Sequence, residues 1–221
     1  DGTNLYVADT NNHMIRKIVI STGAVTTLAG STSSGSTNAT GTSARFYNPR
    51  GITTDGTNLY VADTNNNMIR KIVIATGAVT TLAGSNSSGS TDGTGTSAKF
   101  YYPRGITTDG TNVYVGDFAN NSIRKIVIST GVVTTIAGST SAGSADGFGS
   151  GASLSGPMGI TYEGTNLYVA DYSNHKIRKI STRGTVTADL NLYNLDDDTN
   201  ATINLASSDT GEATVSPASL T

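Results

Sequence analysis

His13 and His175 carry the side chains of this 221-residue chain that titrate nearest neutrality, so metal ligation or proton transfer would first be sought there. Each follows an asparagine and precedes an apolar-basic run, Asn12-His13-Met14-Ile15-Arg16 and Asn174-His175-Lys176-Ile177-Arg178. A zinc site needs three or four converging ligands. Two histidines at equivalent points of a repeated pattern, with Asn67 at that point in the second copy, do not supply them. They are read as turn residues, with ligand binding as the sharper alternative. The carboxylates Asp9, Asp63, Asp117 and Asp171 recur as regularly, each seven residues before Arg16, Arg70, Arg124 or Arg178. An Asp ahead of Asn-rich positions caps a turn through its own side chain. Four structural Asp–Arg pairs are therefore expected rather than a ring of carboxylates around a cation.

Two further groupings invite chemistry. Asp92-Gly-Thr-Gly95 and Asp146-Gly-Phe-Gly149 resemble pieces of a calcium loop, but such a loop needs several oxygen ligands and each piece offers one carboxylate. A turn is the reading, with calcium as the alternative. Arg50 and Arg104 have Tyr47, Tyr101 and Tyr102 close by, a set suited to a carbohydrate, a peptide or an acidic partner. No catalytic residue, metal ligand or cofactor is assigned.

These residues share positions because the chain repeats. Asp55–Gly84 reads DGTNLYVADTNNNMIRKIVIATGAVTTLAG, recurs at Asp1–Gly30 with His13 for Asn67 and Ser21 for Ala75, and returns with more drift from Asp109 and Glu163. A fixed 54-residue period signals a repeat architecture. The second copy predicts strands A to D at Gly51–Thr54, Asn58–Ala62, Met68–Ile74 and Ala78–Ala83. Leu59-Tyr60-Val61 and Ile72-Val73-Ile74 are continuous apolar runs, which suits strands covered on both faces. Asp55-Gly56 and Thr76-Gly77 supply tight turns. Four short antiparallel strands per repeat describe a propeller blade, with a parallel β-helix as runner-up. The first copy begins at the A–B turn and lacks strand A, so fifteen strands are expected. The A–B and C–D turns are minimal, whereas the D–A segments Ser31–Arg50, Ser85–Arg104 and Ser139–Met158 are long. They should elaborate one face, the usual place for function.

The order Pro-x-Gly-Ile, Leu-Tyr-Val-Ala-Asp, Asn-His-x-Ile-Arg-Lys-Ile and Val-Thr-Thr-Leu-Ala-Gly resembles the NHL-repeat family. The tripeptide of that name stands at Asn12-His13-Met14, Asn66-Asn67-Met68 and Asn174-His175-Lys176, and at Asn121-Ser122 with one residue displaced. The resemblance implies an all-β protein, a β-propeller of four-stranded blades. It is similar to the NHL arrays of bacterial secreted or cell-surface proteins, most often six-bladed. With four copies present, a ring would need further blades, a four-bladed closure or a second chain.

The repeats are assigned to a propeller region, residues 1–188, and the rest to a β-rich C-terminal segment, residues 189–221. That tail resembles the opening of an immunoglobulin-like module and is also a candidate for the strand missing from the first blade. The repeats carry 14 basic against 10 acidic residues, and the tail six acids with no base. A body at +4 is far from a nucleic-acid footprint. No apolar run is long enough for a membrane span. The absence of Cys excludes disulfides, thiolate zinc and thiol nucleophiles. A start at Asp1 without Met suggests a mature form or a fragment. Near-identical blades favour a non-enzymatic extracellular or cell-surface scaffold for protein or carbohydrate, or for self-assembly. The alternative is a lyase or hydrolase with a metal at the channel mouth.

Overall fold

A computed structural model describes residues 1–182; the notional tail module and its candidate role as a first-blade strand lie outside the described residues. Four antiparallel sheets succeed one another along the chain. The first holds β1 (Asn4–Asp9), β2 (Met14–Val19) and β3 (Val25–Gly30). The second holds β4 (Pro49–Thr54), β5 (Asn58–Asp63), β6 (Met68–Val73) and β7 (Ala78–Gly84). In the third, β9 (Pro103–Thr108), β10 (Asn112–Asp117), β11 (Ser122–Val127) and β12 (Val132–Gly138) are joined at the outer edge by the two-residue β8 (Gly93–Thr94). The fourth holds β13 (Pro157–Glu163), β14 (Asn166–Asp171) and β15 (Lys176–Ser181). Antiparallel pairing of all the named strands sets aside the parallel β-helix, and up-and-down order gives the expected blades. The count differs from expectation in two places: β8 was not foreseen, and a D strand for the fourth blade lies outside the described residues.

Local chemistry explains why each blade forms. At the A–B turn the Asp55 carboxylate accepts the N–H groups of Thr57 and Asn58 at 2.8 and 2.6 Å, while Gly56 takes φ +89°. The Tyr60 hydroxyl donates back to the same carboxylate at 2.7 Å. Asp109 and Tyr114 repeat the device, and Asp1 and Tyr6 do so in the first blade. Between B and C the chain makes a single 3-10 turn followed by a left-handed residue: His13, Asn67, Asn121 or His175, with φ between 51° and 59°. Asn121 therefore occupies the same position as the others, and the third blade shows no displacement at its NHL tripeptide, Asn120-Asn121-Ser122.

The apolar runs do bury on both faces. Leu59, Val61, Ile72 and Val79 of blade two meet Ile15 and Ala29 of blade one around Ala44 and Phe46. The opposite face, Tyr60, Ala62, Ile69 and Ala83, meets Val113, Val115, Ile126 and Val133 of blade three around Ala98 and Phe100. A third core joins blades three and four. Each core thus lies between sheets, so no blade is complete without a neighbour. At the innermost strands the backbones approach closely: a Cβ on Gly51 would meet the Arg104 carbonyl oxygen at 2.1 Å, and one on Gly105 that of Met158 at 2.1 Å. The glycine of Pro-x-Gly-Ile is thus a spacing requirement.

The long D–A segments are not loops piled on one face. Their two ends lie beside the B–C turns, but the middle runs to the opposite end of the next blade. The Gly41 N–H donates to the Gly77 carbonyl, and the Val79 N–H to that of Ala39. Gly95 and Gly131 repeat the contact between blades two and three. The first two segments therefore lie along the outer strand of the next blade and cover an edge that would otherwise expose unpaired backbone groups.

Candidate functional site

Two clusters account for the residues singled out by the sequence. The first is a clamp between blades. Arg70 is fully buried. It donates to Asp63 Oδ2 at 2.8 Å, to the Arg45 and Thr37 carbonyls at 3.0 and 3.2 Å, and to Asn38 Oδ1 at 2.7 Å. Asp63 Oδ1 accepts the Tyr47 N–H at 2.7 Å, and Asn66 Nδ2 donates to Asp63 Oδ2 and to the Gly35 carbonyl at 2.8 and 2.6 Å. One Asp–Asn–Arg set thus grips the preceding segment at five points. Asp117, Asn120 and Arg124 repeat it, as do Asp171, Asn174 and Arg178. The expected Asp–Arg pairs are present in all four blades. Burial pushes the Asp117 carboxyl up to about 6 against the pull of Asn120, the Tyr101 N–H and Arg124, and it raises Asp63 against Arg70.

The calcium-like pieces belong to this clamp. Asp92 Oδ1 accepts from Arg124 Nη2 at 2.7 Å and its Oδ2 from the Thr135 N–H at 3.1 Å; Asp146 pairs with Arg178 at 2.7 Å. Asn38 does the same for Arg70, which explains why the first copy tolerates an amide there. Among the described residues no group of three or more His, Cys, Asp or Glu is placed to hold a metal ion.

His13 reaches the other way along the chain. Its Nδ1 accepts the Asn48 N–H at 3.2 Å, while Asn67 Oδ1 accepts the Tyr102 N–H at 2.9 Å and Asn121 Oδ1 the Gly156 N–H at 3.0 Å. Imidazole and amide are interchangeable because each offers one acceptor at the same point. The segment that would meet His175 lies outside the described residues, and His175 is exposed.

The second cluster lies at the inner ends of the blades. Arg50 and Arg104 stand side by side at the start of β4 and β9, followed by the two glycines in close contact. Arg104 lies over the Phe118 ring, 3.5 Å from its centroid. Burial and the neighbouring charge of Arg50 hold the Arg104 guanidinium below its ordinary value, with Tyr172 opposing. Tyr172 is 60% exposed. Tyr101 and Tyr102 stack at 4.9 Å, and Tyr47 meets His13 edge-on at 5.6 Å; all three tyrosines remain about two-fifths exposed. Sequence reasoning named these arginines and Tyr47, Tyr101 and Tyr102 but missed Phe118 and Tyr172. The signal was available: both replace Thr10 and Thr64 at the first residue of the B–C turn.

Fold and clamp together define an array of propeller blades stapled by the residues of the NHL tripeptide. No protein-family model matches the chain. The chain is 32% identical over 190 residues to the Arabidopsis thaliana protein SUPPRESSOR OF QUENCHING 1, chloroplastic, covering 80% of this chain and 18% of that protein. It is 30% identical over 151 residues to the Bos taurus NHL repeat-containing protein 2, covering 61% and 21%. It spans about a fifth of these curated relatives. Among solved structures, it is similar to a Bacteroides thetaiotaomicron protein of unknown function, with a TM-score of 0.67, 28% identity and coverage of 81% of this chain and 44% of the other. An auxiliary nutrient binding protein of the same organism shares the fold, with a TM-score of 0.63, 21% identity and coverage of 80% and 44%. The chain belongs to the NHL-repeat family.

Proposed function

We propose that the chain is a non-enzymatic binding scaffold, working outside the cell or at its surface, whose ligand site is the inner mouth of the blades. The observation carrying this reading is a contrast among arginines. Arg16, Arg70, Arg124 and Arg178 are all neutralised by carboxylates, whereas Arg50 and Arg104 form no ion pair or hydrogen bond among the described residues. Arg104 lies on the Phe118 ring and near the exposed Tyr172, the mixture that supports recognition of a polar ligand, protein or carbohydrate. The same fold includes a protein named for nutrient binding, in keeping with this role. The lyase or hydrolase reading asks His13 or His175 to ligate a metal or carry a proton, and of these the Nδ1 of His13 already accepts a backbone N–H. No helix among the described residues is long and apolar enough to cross a membrane.

The test is a screen of the purified 221-residue protein against arrays of glycans and peptides, repeated with Arg104→Ala. Ligands lost with the arginine and left chemically unchanged support the reading. Ligands indifferent to Arg104, or converted to product, overturn it.

A further inference from the structure

We propose that Arg50 and Arg104 together bind the carboxylate of an acidic saccharide, a deepening that rests on the binding reading above.

Two guanidinium groups on adjacent innermost strands repel one another, and this fold has a ready means to avoid that cost. Everywhere else in the described array a strand-borne arginine of this kind is given a carboxylate, from strand B and, in blades three and four, from the linker as well. Among the described residues no carboxylate is supplied at the mouth. Arg104 Nε is buried without a hydrogen-bond partner, a feature it shares with Arg16, Arg70 and Arg124, so the missing carboxylate is what sets it apart. The stack on Phe118 fixes the plane of the guanidinium, so its fork is oriented before any ligand arrives. A preoriented guanidinium with a second cation close by fits one shared anion, and a carboxylate offers two oxygens in matching geometry.

The surroundings indicate what carries the anion. Tyr101 and Tyr102 stack on each other, which leaves an outer ring face on the pair, and Tyr172 is largely exposed. Flat phenol faces with hydroxyl rims suit sugar rings, which bring one apolar face and many hydroxyls. A cavity of about 140 Å³ that could take an apolar side chain lies elsewhere among the described residues, beside Asp1, Leu5, Tyr6, Ile52, Thr54 and Leu59. A saccharide acid therefore fits the mouth better than an acidic peptide anchored by apolar side chains. Blade four has Met158 where blades two and three have arginine, so the charge is confined to one side of the mouth.

The experiment titrates the 221-residue protein with an oligogalacturonate, the neutral galactose oligomer of equal length, and an oligoglutamate peptide of equal charge. Binding is followed by calorimetry at about 50 and 200 mM salt. Expected are preference for the oligogalacturonate, weakening at the higher salt, and at least about tenfold loss for Arg50→Ala and for Arg104→Ala, as for loss of a charge-assisted bond. Arg104→Lys keeps the charge without the fork and should lose nearly as much, while Lys71→Ala controls for net charge. Equal binding of the neutral oligomer, or tighter binding of the peptide, overturns the acidic-saccharide proposal while the binding reading stands. Oligogalacturonate binding that survives both alanine variants also overturns it. No binding of any of the three probes counts against both.

Discussion

Blades one and two are the same thirty residues but for His13/Asn67 and Ser21/Ala75, yet their surroundings differ sharply. Leu59 is fully buried and its counterpart Leu5 is 55% exposed. Arg70 has four hydrogen-bond acceptors, whereas Arg16 has Asp9 alone at 3.3 Å, since no preceding linker exists among the described residues to complete its clamp. The mirror image appears at the other end. Ile177 is 73% exposed, while Ile15, Ile69 and Ile123 at the same position are fully buried. Burial here belongs to a place in the array rather than to a residue type, and stability is divided among neighbouring pairs.

That contrast can be broken at several points. Replacing Arg70 with Leu should cost about 3–5 kcal/mol, because it leaves the buried Asp63 unpaired. The same change at Arg16 should cost at most about 1 kcal/mol, in a part-exposed pair. Urea denaturation of the two variants measures the difference, and equal costs would remove the clamp from its role. Next comes the apolar pair: Leu59→Ala should lose about 2–5 kcal/mol, and Leu5→Ala less than about 1 kcal/mol. A large loss at Leu5 would show that its face is covered in solution.

A smaller effect separates acceptor from imidazole. His13→Asn should leave thermal stability within about 0.5 kcal/mol of the parent, whereas His13→Ala should lose about 1 kcal/mol with the acceptor for Asn48. If His13→Asn proved as harmful as His13→Ala, the imidazole would have a task beyond accepting that bond. The smallest effect concerns pH. Burial raises the Asp55 carboxyl, but hydrogen bonds from Asn58, Tyr60 and Thr57 outweigh it and hold the group below its ordinary 3.8. A depressed carboxyl stabilises the fold above its unfolded value and loses that contribution as pH falls through the folded one. The stability gap between the parent and Asp55→Asn should therefore be full at about pH 6 and shrink below about pH 4. A gap that widened on acidification would reverse the assignment.

Much of this was legible before any coordinates. The 54-residue period, the continuous apolar runs and the Asp-Gly turns specify four-stranded blades because they are local signals, repeated from copy to copy. The Asp–Arg pairing was legible for the same reason. The partners that complete it, Thr37, Asn38 and Arg45 for Arg70, are 25 to 33 residues away in a Ser/Thr/Gly-rich stretch with no periodicity of its own. That stretch looked like an elaborated face because composition cannot show that a chain doubles along a neighbouring strand edge. Phe118 and Tyr172 escaped notice because they replace threonines in the drifting copies, where departures from the pattern read as decay.

The clamp also has a direction. The Asp–Asn–Arg sets of blades two to four grip the linker made before them, and His13, Asn67 and Asn121 at the turns hold the linker made after them. A ribosome delivers residues at roughly 5–20 per second, so a finished blade waits several seconds for the next 54-residue unit, its trailing apolar face open. When the new blade arrives, the linker it must grasp is already anchored at its near end. Assembly is thereby biased to run from the N-terminal blade onward, as a zipper closes from a fixed stop. Severing one linker would stall closure at that junction and leave the blades before it intact.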